Sequence, residues 1–211
     1  EVGSNLSGNL EAFNTLLELY DVGAVKPKIT KASKDNPRIS QVKGRTPTDM
    51  LLFGKPPTLM DGGKVEELFF QLLQTGFARR CMFAYVREYP EVPVLTPAEI
   101  YDKSLDKSIA SYLSDLSTQL SKLSNLVHFG KQIQISRSVS ILLIEYRLMC
   151  ENRAAAMSEH EEVKKAEMSH RYSKVKKLAG AYAFIDGTPE ITEDQLYNAI
   201  KLAEDCGSAF S

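Results

Sequence analysis

Four stretches of this 211-residue chain carry side chains suited to chemistry, and in each the chemistry is the holding of phosphate. Between positions 26 and 45, Lys26, Lys28, Lys31, Lys34, Arg38, Lys43 and Arg45 stand against a single acid, Asp35. Seven basic residues against one acidic make +6, and the rest of the chain, with 19 basic and 26 acidic residues, carries −7. Cations gathered on one ribbon of an otherwise acidic chain make a binding element for a nucleic acid backbone. The ribbon has no aromatic residue on which bases would stack, so its contacts should be indifferent to base sequence. It also reads as an edge hairpin whose lysines oppose aggregation.

The second stretch is Arg79-Arg80, which follows Gly76-Phe77. A bidentate, permanently charged donor at an element junction suits a γ-phosphate, although paired arginines more often form surface salt bridges. The third is Leu51–Thr58, an apolar run ending in a polar cluster in which Lys55 and Thr58 would each face a phosphate at the carboxyl edge of a sheet. A plain exit from strand to loop explains it equally. The fourth is Arg171, Lys174, Lys176 and Lys177, ahead of Leu178-Ala179-Gly180-Ala181, where small residues permit close helix packing. The basic turn faces either a nucleotide, DNA or, as such turns commonly do, solvent. No metal site is expected: His160 opens a near-match to HExxH, but position 164 is Lys164. Cys81, Cys150 and Cys206 are far apart, which fits a reducing compartment better than a disulfide framework or a zinc ribbon.

The elements that must position these residues follow from periodicity. Leu10, Phe13, Leu16, Leu17 and Tyr20 predict a helix over 7–22, with Ser7 as cap and Gly23 as stop. Residues 24–46 read as a β-hairpin around Ser33–Pro37. Met50–Phe53 reads as a fully buried strand, 64–75 as a helix ended by Gly76, and Cys81–Val86 as another strand. Strands alternating with helices indicate an α/β fold with a parallel sheet. A linker at 88–96 leads into helices. Thr96-Pro97-Ala98-Glu99 and Thr192-Glu193-Asp194-Gln195 are capping boxes, the second with Ile191 and Leu196 as a hydrophobic staple. Ile109, Leu113, Leu116, Leu120 and Leu123 form one helical stripe, and further helices are expected near 137–157 and 160–185. The near-neutral net charge of −1 gives no global sign of a nucleic acid partner, and no apolar run approaches the ~20 residues of a membrane span. The chain opens at Glu1 rather than Met and is expected to be part of a longer polypeptide.

In this order the segments Asn9–Asp21, 24–46, Met50–Thr58, Gly76–Arg80, Arg171–Ala181 and Ile191–Ile200 resemble the C-terminal half of the ATPase core of phage and plasmid primase-helicases, the superfamily-3-like helicases of the AAA+ class. The resemblance implies the second half of a P-loop AAA+ parallel sheet with a basic β-hairpin over 1–87, the linker 88–96, and an all-helical lid over 97–211. It implies that Glu1 is the Walker B glutamate, that Arg79 or Arg80 is the arginine finger, that Lys55, Thr58 and Arg171 sense ATP, and that the hairpin grips single-stranded DNA. ATP and Mg2+ as cofactors, a homo-hexameric ring, a primase domain or partner primase, and a cytoplasmic location in a bacterial host follow from the same resemblance. Two departures stand out. Lys55 sits where that family more often has Thr, Asn or Gln, and no GxxxxGK[ST] loop is present, so this chain alone should neither bind ATP tightly nor hydrolyse it. The alternatives are another AAA+ motor (an initiator, clamp loader or packaging ATPase) and a non-enzymatic DNA-binding or interaction module.

Overall fold

The structure, a computed structural model, describes residues 6–24, 49–84, 91 and 93–208. Glu1, the hairpin with its seven basic residues, and residues 85–86 of the second expected strand lie outside the described residues. The chain divides into two compact units, Glu1–Cys81 with Arg153–His170, and Met82–Asn152 with Arg171–Ser211. Most described residues are helical.

The first unit contains α1 (Leu6–Val22), the single turn α2 (Pro56–Leu59) and α3 (Lys64–Leu72). Helix α1 begins one residue ahead of the expected cap, Ser7, and ends as anticipated: Gly23 takes φ 69° and its N–H donates to the Leu19 carbonyl at 2.9 Å. Two expectations fail here. Met50–Phe53 forms no strand and is open to solvent, with Leu51, Leu52 and Phe53 at 78%, 70% and 90% exposure. Cys81–Ala84 is likewise not a strand. A short apolar run becomes a buried strand only where neighbouring strands satisfy its backbone and helices cover its faces; among the described residues neither is supplied.

The second unit holds α4 (Pro97–Leu105), α5 (Ser108–Leu123), β1 (Gln134–Ile135), the greater parts of α6 (Arg137–Ala155) and α7 (Glu162–Asp186), β2 (Glu190–Ile191) and α8 (Glu193–Gly207). The region expected to be all-helical therefore contains the one sheet among the described residues, a parallel ladder pairing Gln134 with Glu190 and Ile135 with Ile191. The core lies among α6, α7 and α8: Val139 and Cys150, then Val175, Ala179 and Ala183, then Leu196, Ala199 and Ala203 are all buried. Val175, Ala179 and Ala183 recur every fourth position along α7, and two of the three are alanines. Gly180 contributes little, since a Cβ there would meet open space. Helices α4 and α5 contribute no buried residue.

Local chemistry starts these helices. The Glu99 N–H donates to Thr96 Oγ1 at 3.4 Å, and the Glu99 carboxylate accepts from the Thr96 N–H at 2.7 Å. Those bonds from Thr96 hold the Glu99 carboxyl below its ordinary pKa. At α8 the Gln195 N–H donates to Thr192 Oγ1 at 3.2 Å and Thr192 N–H to Gln195 Oε1 at 3.0 Å, while Ile191 and Leu196 occupy the staple positions and are both buried. Buried Gln195 goes further: its Nε2 donates to Asp186 at 2.7 Å and to Thr188 at 3.2 Å, tying the start of α8 to the end of α7. A third box, Ser158 with Glu161, precedes α7 and accounts for His160 as an exposed residue of a capping turn.

Thr192→Ala should lower stability by about 1 kcal/mol through the missing cap. Gln195→Ala should cost about twice that, because it also strands partners on α7. Urea denaturation followed by circular dichroism measures both, and equal midpoints for the two variants would remove the bridging role of Gln195.

Candidate functional site

Sequence singles out Arg79 and Arg80 as a pair; the fold separates their roles. After α3 the helix widens into a π-turn over Leu73–Phe77, in which Gly76 has φ 109°. That left-handed conformation suits glycine alone at little cost. The missing side chain has a second effect. A Cβ at Gly76 would lie 2.8 Å from Arg80 Nη1 and 2.9 Å from Arg79 Nη2, so both guanidinium groups fold back over this residue.

Arg80 is fully engaged. Its Nη1 donates to the Gly76 carbonyl at 3.0 Å, its Nε donates to Asp21 Oδ1 at 2.8 Å, and its Nη2 closes a bidentate pair on Asp21 Oδ2. The hydrogen bonds to Asp21 raise the Arg80 pKa further above its already high value. Phe13 packs edge-on against Phe77 with ring centroids 5.4 Å apart. Together the two contacts fasten α1 to the turn. Beside them Tyr20 is pushed up in pKa, first by burial and then by Asp49 and Asp21. Arg79 is half-buried and enters no ion pair among the described residues. The turn thus presents one committed guanidinium and, next to it, one without a counter-charge among the described residues. That arrangement offers a bidentate donor to an incoming oxyanion without first breaking a pair.

The other predicted residues are not brought to this turn by any described contact. The Lys55 carbonyl accepts from the Leu59 N–H at 3.2 Å to start α2, and its side chain is exposed without an ion pair among the described residues. Thr58 lies within α2.

Arg171 belongs to the core of the second unit. It is 4% exposed, and its Nη1 donates to Glu204 Oε2 at 3.0 Å. Glu204 Oε1 accepts from the Tyr146 hydroxyl at 2.7 Å, so α6, α7 and α8 meet in one polar network. Burial, then the bond to Glu204, pushes the Tyr146 pKa far up, so the phenol stays a donor. Gly207 makes room: a Cβ there would sit 2.1 Å from Arg171 Nη2. This internal pairing accounts for Arg171 without a nucleotide. The expectation of a solvated basic face holds for Lys176 and Lys177 but fails for Arg171 and Lys174, which are buried. Sequence reasoning passes over Asp21, Tyr146 and Glu204, whose roles arise only from long-range pairing, and reads Gly207 only as the close of the last helix, where α8 does end.

A shallow groove of about 470 Å³ runs between α7 and α8, bordered by Asp186, Asp205 and Lys201 over Gln195. Two carboxylates and one amine make it no cradle for phosphate, and none of the sequence-predicted residues lines it. Among the described residues no group of His, Cys, Asp or Glu is placed to hold a metal ion, and no helix is long and apolar enough to cross a membrane.

Glu204→Ala removes the carboxylate that accepts from both the buried Arg171 guanidinium and the Tyr146 hydroxyl. It should destabilise the protein by about 3 kcal/mol, the low end for a broken buried pair because Glu204 keeps a third of its surface in water. Gly207→Ala should also destabilise by displacing Arg171, whereas Gly180→Ala should not. Chemical denaturation of the three variants gives the ranking, and a harmless Gly207→Ala would contradict the close approach.

No protein-family model matches this chain, and neither curated proteins nor solved structures yield a match to it.

Proposed function

We propose that this chain is part of an ATP-driven, ring-forming DNA helicase, and that Arg79 is the arginine it extends to the nucleotide of a neighbouring subunit. The observation that carries the reading is the division between the two arginines. Arg80 is spent on Asp21 and the Gly76 carbonyl, and Arg79 lies against the same glycine with no counter-charge among the described residues. Arg80 then acts as a positioning residue that fixes the backbone from which Arg79 projects. A guanidinium delivered to a transferring phosphoryl group stabilises the charge that builds on its oxygens, an effect worth roughly 10³-fold or more in rate.

ATP would meet the described residues at that point, with its Mg2+ held elsewhere, since the chain has no P-loop of its own; the rest of the nucleotide site belongs to other parts of the parent protein. Glu1, as the glutamate that orients the attacking water, and the basic ribbon 26–45, as the grip on single-stranded DNA, complete the proposal from sequence. A homo-hexamer with a primase domain or partner is the assembly that this reading entails. One observation favours a second reading, a non-enzymatic interaction module built from helices: Met50–Phe53 lies outside any sheet, and the described sheet has only two strands.

In the parent protein, Arg79→Ala should reduce DNA-stimulated ATP hydrolysis by about 10³-fold without changing the melting temperature. Arg80→Ala should lower the melting temperature and reduce the rate less. Wild-type turnover by Arg79→Ala would end the assignment and leave the module. Separately, replacing Lys31 and Lys34 with Glu should weaken single-stranded DNA binding about equally for all sequences. The salt dependence should flatten by about 0.7 in log–log slope for each phosphate no longer neutralised. Unchanged binding would return the ribbon to a solvated edge.

A further inference from the structure

We infer that α5 is a self-association helix, which pairs with α5 of a second copy of this chain. The inference stands on α5 alone and is independent of the proposed function. Ile109, Leu113, Leu116, Leu120 and Leu123 follow a spacing of 4, 3, 4 and 3, the a/d repeat of a coiled-coil seam. The residues of such a seam are normally hidden. Here Ile109 is 70% exposed, Leu113 55%, Leu116 37% and Leu120 51%, and α5 has no buried residue.

The flanks say which occupant fits. With Ile109, Leu116 and Leu123 at d and Leu113 and Leu120 at a, the positions beside the seam are Ala110, Tyr112, Ser117 and Gln119, none of them charged. The two charges of the helix, Asp115 and Lys122, fall at the outer c positions and cancel. Two identical helices brought together along this seam oppose no like charges, which is the condition self-pairing must meet. A foreign helix selected by flanking charges would find nothing to read. A membrane surface is a poor match as well, because helices that lie on membranes carry several basic residues on the polar face, and this one carries Ser111, Ser114, Thr118 and Ser121 with a single lysine. Residues 25–48 of the same chain, with seven basic residues and few apolar ones, offer no matching stripe.

Sixteen residues make a helix of about 24 Å, little more than two heptads, so the pairing belongs with the weak interfaces and should appear only at high protein concentration. Sedimentation equilibrium of the full chain from about 5 to 500 μM reads it, the range set by the small interface. The average mass should climb toward twice that of the monomer. Leu113→Glu with Leu120→Glu should weaken association at least 10-fold at unchanged helicity, whereas Thr118→Glu, on the opposite face, should not. Because an apolar-to-acid change could disturb folding, a polar pair gives a second route. In a parallel pair Tyr112 of one helix faces Ser117 of the other, so Tyr112→Glu with Ser117→Glu should associate poorly alone, Tyr112→Lys with Ser117→Lys likewise, and an equimolar mixture of the two should recover association. A wild-type chain that stays monomeric to 500 μM, association that survives the leucine substitutions, or a charge-swapped mixture that fails to recover would each overturn the inference.

Discussion

A guanidinium withdrawn from water has to be met by a carboxylate at close range, and the three-helix core of the second unit is arranged around that demand. Arg171 on α7 is almost wholly buried, and Glu204 on α8 answers it at 3.0 Å. The second oxygen of Glu204 takes the Tyr146 hydroxyl from α6, so neither side of the carboxylate is left unsatisfied. Gly207, three residues further along α8 and therefore on the same side of the helix, leaves space for the guanidinium. Ala179, Ala183, Ala199 and Ala203 are buried in the same core. Alanine faces pack closely but discriminate poorly between registers, because sliding one past another changes little. A charge pair that is satisfied in only one register supplies the discrimination the alanines lack.

The turn after α3 obeys the same electrostatics under weaker burial. Arg80 and Asp21 remain partly in water, so their bidentate pair contributes less energy than geometry. The geometry matters because Arg79 is the next residue along the chain. Whatever holds Arg80 holds the backbone that carries Arg79, and Gly76 lets both side chains lie across the turn in place of a Cβ. Two adjacent residues of identical chemistry thereby differ, one held in a bidentate pair and one without an ion pair among the described residues.

The parts of this architecture that are legible in the sequence are those decided within a few residues. Thr96 with Glu99, Thr192 with Gln195, and the stops at Gly23 and Gly76 need no knowledge of the rest of the chain. The Ser158–Glu161 box is equally local, but His160 in its middle draws the eye as a possible ligand and hides it. What sequence misses depends on partners far along the chain. Asp21 and Arg80 are 59 residues apart, Arg171 and Glu204 are 33 apart, and no pattern around either arginine names its acid. Charged side chains are by default exposed, so sequence alone puts Arg171 and Lys174 on a solvated face. Met50–Phe53 fails for the opposite reason: an apolar run has no intrinsic partner, and composition alone cannot supply its burial. The α5 stripe is present as the sequence predicts, but periodicity describes a face without saying what lies against it.

The small parallel sheet, which the sequence does not suggest, explains how the buried network closes. Ile135 pairs with Ile191, and each strand runs directly into a helix. Ser136 caps α6, its Oγ accepting from the Val139 N–H at 3.2 Å, and Thr192 caps α8. Two helices whose caps follow adjacent paired residues start level with each other and point the same way. At 1.5 Å per residue, Tyr146 lies about 15 Å along α6 from Ser136, and Glu204 about 18 Å along α8 from Thr192. The two side chains therefore arrive at nearly the same height, and a hydroxyl and a carboxylate cover the remaining difference with a 2.7 Å hydrogen bond. Two residues of strand on each side set the register, and ten to twelve residues of regular helix carry it to the charge pair. The ladder and the Tyr146–Glu204–Arg171 network are thus two ends of one constraint.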